Sequence, residues 1–416
     1  MYEKITLQNG LRIVFEIIPY VRSVSLGVWV GTGSRFEPPA AAGASHFIEH
    51  MVFKGTLSRT AAQLAAEMDE IGGQVNAFTT KECTCFYGRV LDTHLGKLTD
   101  ILCDMLTNSR FDDGDVTSER GVIFEEIDMY EDAPEDLVTE RLFSAVFKGS
   151  PLGKPILGNK PALSKMDGAF LRAYMAAHYN PENIVVALSG NFSDGDIGLL
   201  KDRFSRFTGG GKNSFKPAAF TPAFLVKKKP IEQNHLCLGF PGMARGDERR
   251  FPLQLMSSIL GGGMSSRLFQ SVREKNGLCY TVYSFSSLYQ DTGIFGIYTA
   301  LSRETEQAAI SLILDELRRL VDNGVTLEEL SRAREQTKAN ILMSLESTGA
   351  RMNLLGKGEL SLGKILSPEE TAAAYDAVTP EDILSLAREM FTQENLSFSA
   401  VGRVQTAQQY KETLRL

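Results

Sequence analysis

His46-Phe47-Ile48-Glu49-His50 brings two imidazoles and a carboxylate into five residues. On a helix, His50 lies one turn beyond His46, so both rings leave the same face, with Glu49 beside them three residues after His46. Two neutral imidazoles suit zinc, and a carboxylate alongside can take a proton from a water that the metal has acidified. The H-E-x-x-H helices of zinc enzymes carry these groups in the opposite order; here the order is H-x-x-E-H. A catalytic zinc site normally has three protein ligands, so a third must come from elsewhere in the chain.

The stretch 115–130 can supply it. Asp112, Asp113 and Asp115 make an acidic start for a helix. Glu119 and Glu126 stand two turns apart on one face, and Val122 and Ile123 offer apolar contact. Glu125 is equally able to bind a metal but points about 120° away from Glu119. By itself an acidic helix is more often a solvated face than a source of ligands. The third zinc position left open by two histidines is what favours the ligand reading here.

The flanking sequence must hold these groups. Strand-like runs at 11–18 and 23–30, rich in Val, Ile and Phe, flank a turn near Pro19-Tyr20, and a Gly- and Pro-containing loop at 31–43 delivers the chain to the motif helix. An Ala-rich helix at 61–70 closes on Gly72-Gly73, residues 75–90 read as extended, and 95–106 as a helix. Helical patterns continue past Pro134 and over 162–178 and 193–206, with a short buried strand at 184–188. Residues 209–224, opening on Gly209-Gly210-Gly211, have little that could pack and read as a linker between domains 1–208 and 225–416.

A chain of 416 residues suits two cores rather than one. It is 43% hydrophobic and 23% charged, and it has no apolar run near the roughly 18 residues that a spanning helix needs, so no membrane anchor is expected. The start, Met1-Tyr2-Glu3-Lys4-Ile5-Thr6, lacks the basic and apolar pattern of a signal peptide and points to a cytoplasmic chain. Net charge is −7, from 44 basic and 51 acidic residues, and no basic stripe interleaved with aromatics occurs, which argues against nucleic acid as a partner. Cys83, Cys85, Cys103, Cys237 and Cys279 are odd in number and dispersed, as free thiols in a reducing compartment would be. Cys83-Thr84-Cys85, with no second pair, reads as structural rather than as a metal clip.

The second half repeats the first. A strand at 235–240 and a helix at 252–260 lead through Gly261-Gly262-Gly263 to a segment, 265–271, that aligns with 44–50 when Ser266 is set on Ser45. Arg267 and Ser271 then take the metal positions and Gln270 the carboxylate position. Arginine cannot lose its proton to bind zinc, so this half has no metal site. Val282-Tyr283-Ser284-Phe285 parallels Val75-Asn76-Ala77-Phe78, and a second strand-like run and a long amphipathic helix follow each, the latter at 304–322 in this half. Helical stretches at 327–345 and 368–391 and a strand at 396–401 complete the chain, with 349–352 and 356–358 marking a break between helices. The expected fold class is α+β, as two homologous domains of which one is catalytic.

The segments HFIEHMVFKGT (46–56), VNAFTTKE (75–82), ERGVIFEEI (119–127), YNPENIVVALSGNF (179–192) and GGGMSSRLFQSVREKNGLCYTVYS (261–284) span nearly the whole chain. Together they resemble the insulinase/pitrilysin family of inverted zincins, in particular its short two-domain members similar to the β subunit of mitochondrial processing peptidase and its bacterial relatives. The resemblance implies a mainly antiparallel sheet packed against helices in each domain and a clamshell pairing of two chains, as a homodimer. It implies one zinc ion per chain, with His46, His50 and Glu126 as ligands, Glu126 being the last acid of the family's E-R-x-V-I-x-x-E stretch. Glu119 then orients a ligand histidine from the second shell, and Glu49 is the general base. Arg273 anchors the peptide backbone and Tyr280 stabilises the oxyanion. Asn76, Ala77 and Phe78 hold the substrate as an added strand, which selects extended peptides.

Asp136 and Glu140, one helical turn apart, resemble two acids that receive an arginine shortly before the cleavage site in processing peptidases. Two solvated acids on an acidic helix is the competing reading. The function implied is a zinc endopeptidase that cleaves short or unfolded peptides of the leader or targeting type inside a closed dimer cavity. The alternatives are a catalytic subunit that needs a noncatalytic partner and a structural core subunit of the kind found in respiratory complexes. Structural relatives usually lose metal ligands, whereas His46, Glu49, His50 and Glu126 are all present here. The short Gly-rich run at Gly261 also resembles the catalytic type of subunit.

Overall fold

The computed structural model describes residues 2–416. Among the described residues, eleven strands form two sheets. The first comprises β1 (Glu3–Thr6), β2 (Arg12–Ile17), β3 (Ser23–Val30), β4 (Gln74–Thr79), β5 (Thr84–Leu91) and β6 (Ile184–Gly190), in the order β1-β2-β6-β3-β5-β4. The second comprises β7 (Phe224–Lys228), β8 (Asn234–Gly242), β9 (Cys279–Leu288), β10 (Gly293–Leu301) and β11 (Ser397–Gly402), in the order β7-β11-β8-β10-β9. Only β2 with β6 and β7 with β11 run parallel. With β1 set aside, the two sheets share one strand order and one pattern of directions, the topological mark of the expected duplication.

Alternation along β3 explains how the first sheet is covered. Val24, Leu26, Val28 and Val30 point into a core shared with Phe47 and Ile48 of the motif helix (Ala44–Met51) and with the helix Leu95–Asn108. Trp29, Val185 and Ala187 face the other way, against Met352 and Leu355 of the helix Thr348–Leu362. A strand buried on both faces reads as the near-continuous apolar run seen at 23–30.

The glycines that suggested a break between helices at 349–358 lie instead inside that helix. The small size of Gly356 on this helix and of Gly27 on β3 serves close approach: a Cβ on Gly356 would lie 2.1 Å from Trp29 Nε1, and one on Gly27 would lie 2.3 Å from Met352 Sδ. Glycine lowers helix propensity, but here it lets helix and sheet meet without a side chain between them.

The compact units also run differently from the contiguous halves 1–208 and 225–416. One unit contains residues 1–127, 154–216 and 342–367; the other contains 128–153, 217–341 and 368–416. The helix Pro134–Val146 therefore belongs to the second unit, where Leu137, Val138, Leu142 and Phe143 pack on Cys237, Ile294 and Val401 of its sheet. Each half thus contributes a helix to the other's sheet. The expected linker, 209–224, is divided too. Asn213 is pinned in the first unit by donating its side-chain amide to Gly31 O and His178 O, and Phe215 lies under the Arg35 guanidinium at 3.9 Å. Phe220 packs edge-on against Phe147 in the second unit. No helix among the described residues is long and apolar enough to cross a membrane.

Candidate active site

The motif helix begins at a fixed point. Gly43 adopts φ +95°, a left-handed conformation suited to glycine, and the buried Glu37 carboxylate accepts hydrogen bonds from the backbone N–H of Gly43 (2.7 Å) and Ser45 (2.8 Å). Burial pushes the Glu37 carboxyl up to about 7 against these hydrogen bonds. From this start His46 is buried and Glu49 and His50 are half-buried, on the side facing the acidic helix Asp113–Asp132.

Glu126 Oε2 lies 3.6 Å from His46 Nε2 and 3.7 Å from His50 Nε2, and the three ligand atoms all fall within 4.8 Å of one another. Donors about 2.1 Å from a tetrahedral ion stand about 3.4 Å apart, so the trio fits a zinc-sized ion. Among the described residues no other group of His, Cys, Asp or Glu converges in this way. Glu125, the competing acid, is exposed on the neighbouring face of the helix. Burial, and then the neighbouring His50, bring the His46 imidazole down to about 3, so it is neutral and its lone pair is available near pH 7. Burial raises the Glu126 carboxyl, with His50 opposing.

The two histidines are oriented by different means. His50 Nδ1 is 2.8 Å from Glu119 Oε1, and the other Glu119 oxygen accepts from Lys54 Nζ at 2.5 Å. His46 Nδ1 is buried and has no hydrogen-bond partner among the described residues, so packing holds that ring. Glu49 Oε2 accepts a hydrogen bond from the Thr79 hydroxyl at 2.6 Å. Burial raises the Glu49 carboxyl; Thr79 and His50 act against the shift and Glu126 adds to it.

Asn76, Ala77 and Phe78 lie on β4, which pairs only with β5 and so ends the sheet. Phe78 packs edge-on against Trp29 at 5.5 Å. In the second unit, the Arg273 guanidinium stacks over the Tyr280 ring at 4.8 Å, at the corner between a six-residue π-helix (Phe269–Glu274) and β9, after Gly277 turns the chain with φ +61°. The Tyr280 ring is 75% exposed and available to a ligand. Asp136 and Glu140 lie early on the helix Pro134–Val146; burial and the adjacent Glu135 raise the Asp136 carboxyl. Arg267, at the position equivalent to His46, makes a bidentate pair with Glu329 (2.7 and 2.8 Å) and donates to Gly324 O, filling its corner with an ion pair. Glu37, Lys54 and Thr79 are contacts that sequence reasoning did not single out. Helical spacing could have found Lys54, four residues beyond His50.

An H-x-x-E-H helix converging with a glutamate of a later helix, on one of two duplicated α+β domains, defines an inverted-zincin type of metallopeptidase. Comparison with known proteins agrees. Residues 12–160 match the model of the insulinase family (peptidase family M16), and residues 165–337 match that of the peptidase M16 inactive domain. The chain is 45% identical over 395 residues to an uncharacterized zinc protease of Bacillus subtilis, covering 95% of this chain and 97% of the relative. It is 40% identical to another from Streptomyces coelicolor, covering 97% and 90%. A Pseudomonas fluorescens structure titled peptidase M16 inactive domain superposes with a TM-score of 0.91 at 19% identity, over 97% of this chain and 99% of that one. A chain of complex III from Candida albicans gives 0.86, also at 19%, over 100% of both. The protein belongs to the insulinase family, peptidase family M16.

Proposed function

We propose that this protein is a zinc-dependent endopeptidase acting on short or unfolded peptides of the leader or targeting type. The convergence of His46, His50 and Glu126 beside Glu49 carries the reading. Those three residues would hold one zinc ion per chain, which when bound would supply the Lewis acidity for acidifying a water and polarising the scissile carbonyl. Glu49 takes the proton of the attacking water and delivers it to the leaving amine; its burial raises its proton affinity for that task. Glu119 accepts a hydrogen bond from His50 Nδ1–H and so leaves Nε2, on the Glu126 side, as the nitrogen with the free lone pair.

The free edge of β4 at Asn76-Ala77-Phe78 pairs with an extended peptide backbone, which excludes folded chains. Arg273 anchors that backbone and Tyr280 donates to the oxyanion. Asp136 and Glu140 receive a basic residue shortly before the cut. The working form is a cytoplasmic homodimer closing as a clamshell around the peptide. The likeness to a complex III chain favours a second reading, a structural subunit, and the retained ligand set and Glu49 weigh against it.

The test is cleavage of a quenched, unstructured, Arg-containing peptide by the purified zinc-loaded chain, with Glu49→Gln beside it. Wild type is expected to cut, and Glu49→Gln to keep its metal and lose activity by at least about 100-fold. A metal-loaded wild type that cuts nothing would overturn the peptidase reading of the isolated chain.

A further inference from the structure

Glu49 Oε2 is engaged by Thr79, the last residue of β4, while Glu49 Oε1 has no hydrogen-bond partner among the described residues. Thr79 is itself fixed. It stands opposite Thr84 in the hairpin register, the two hydroxyl oxygens 3.3 Å apart, and Thr84 donates to Thr32 O at 3.1 Å. Since an ionised carboxylate can only accept, the Thr79 proton points at Glu49. Strand alternation turns Phe78 toward Trp29 and Thr79 toward the motif helix, so the hydroxyl reaches the carboxylate from the edge strand β4, where the Ala77 N–H is donated to the Asn76 side chain.

We propose that Thr79 is a positioning residue for Glu49. Its hydroxyl holds one carboxylate oxygen and leaves the other, Oε1, as the atom that takes and returns the proton. This rests on the reading of Glu49 as general base. A peptide added to the edge of β4 stiffens the backbone of residues 76–78 and therefore of Thr79. Filling the substrate strand and aligning the base are then one event. The effect falls on turnover, not on peptide binding, because Thr79 touches the base and its hydroxyl makes no bond that the peptide needs.

The experiment compares Thr79→Val, which keeps the shape and removes the donor, with Thr79→Ser, which keeps the donor. Wild type and Glu49→Gln are run alongside, with zinc content and melting temperature measured for all four. The expected result for Thr79→Val is a fall in kcat of about 10- to 100-fold, the worth of one hydrogen bond to a charged group, with KM within about twofold and full zinc content. Thr79→Ser should recover most of the loss. If Thr79→Val melts early, Thr79→Ala supplies the donor-free member of the same contrast. A donor-free variant that turns over within about twofold of an active wild type, or a Thr79→Ser that falls as far as Thr79→Val, overturns the role of Thr79 alone. A Glu49→Gln variant as active as wild type overturns the reading of Glu49, and the role of Thr79 with it.

Discussion

Replacing Glu119 by Gln removes one charge behind His50 while hardly changing the side chain's shape. Both carboxylate oxygens are engaged, one 2.8 Å from His50 Nδ1 and one 2.5 Å from Lys54 Nζ. An amide has a single acceptor. If it faces His50, the Gln NH2 is turned on the Lys54 ammonium, donor against donor. If it faces Lys54, the NH2 meets Nδ1 and drives the imidazole proton to Nε2, the nitrogen that faces Glu126. Either arrangement forfeits one charge-assisted hydrogen bond, worth about 1.5–3 kcal/mol. At about 1.4 kcal/mol per tenfold, zinc affinity should fall by about 10- to 100-fold. Competition against a chromogenic chelator reads the affinity, and melting of the metal-free protein separates it from loss of fold. Lys54→Met leaves the Glu119 charge and its bond to His50 in place, so its loss should be smaller. Zinc affinity for Glu119→Gln within about twofold of wild type, with an unchanged melt, would refute the orienting role.

The buried Glu37 carboxyl, raised from 4.5 to about 7 by burial, binds a proton in the folded state that the unfolded chain has released. Its linked stabilisation is therefore full below pH 4.5 and lost as pH rises through about 7, amounting to about 3 kcal/mol. Denaturant midpoints of metal-free wild type should fall between pH 5 and pH 8 relative to Glu37→Gln, and parallel profiles would remove the effect. Gly356→Ala should lower the unfolding free energy from denaturant titration by about 1–3 kcal/mol, because its Cβ would sit 2.1 Å from Trp29 Nε1. The opposite sign, the usual gain of alanine in a helix, would show that the contact is not tight. Asp136→Asn with Glu140→Gln should lower kcat/KM for an Arg-containing peptide by about tenfold relative to its Ala analogue. An unchanged ratio of the two substrates sinks the specificity assignment.

What was legible in the sequence was what depends on local periodicity. Helical spacing placed His46 and His50 on one face and put Glu126, not Glu125, two turns from Glu119, and all three ligand atoms do converge. Strand pattern marked the 75–90 hairpin, and the faint repeat of 75–78 in 282–285 corresponds to edge strands β4 and β9 of two sheets with one topology. Periodicity says that a helix has an apolar face but not which sheet receives it. The helical stretch after Pro134 is therefore expected in the first half, and residues 348–362, read as containing a break between helices, in the second, although each forms a helix that packs on the other half's sheet. The same limit hid the role of Gly356, which looks like a breaker until Trp29 is known to lie beneath it. Glu37 and Thr79 escaped for a further reason. Each acts on the motif helix through a contact fixed by a loop or a strand end, where no period in the sequence records the partner. The motif thus announced His46 and His50, which share a helix face, while the groups that hold that helix and Glu49 in place emerged only from the packing around it.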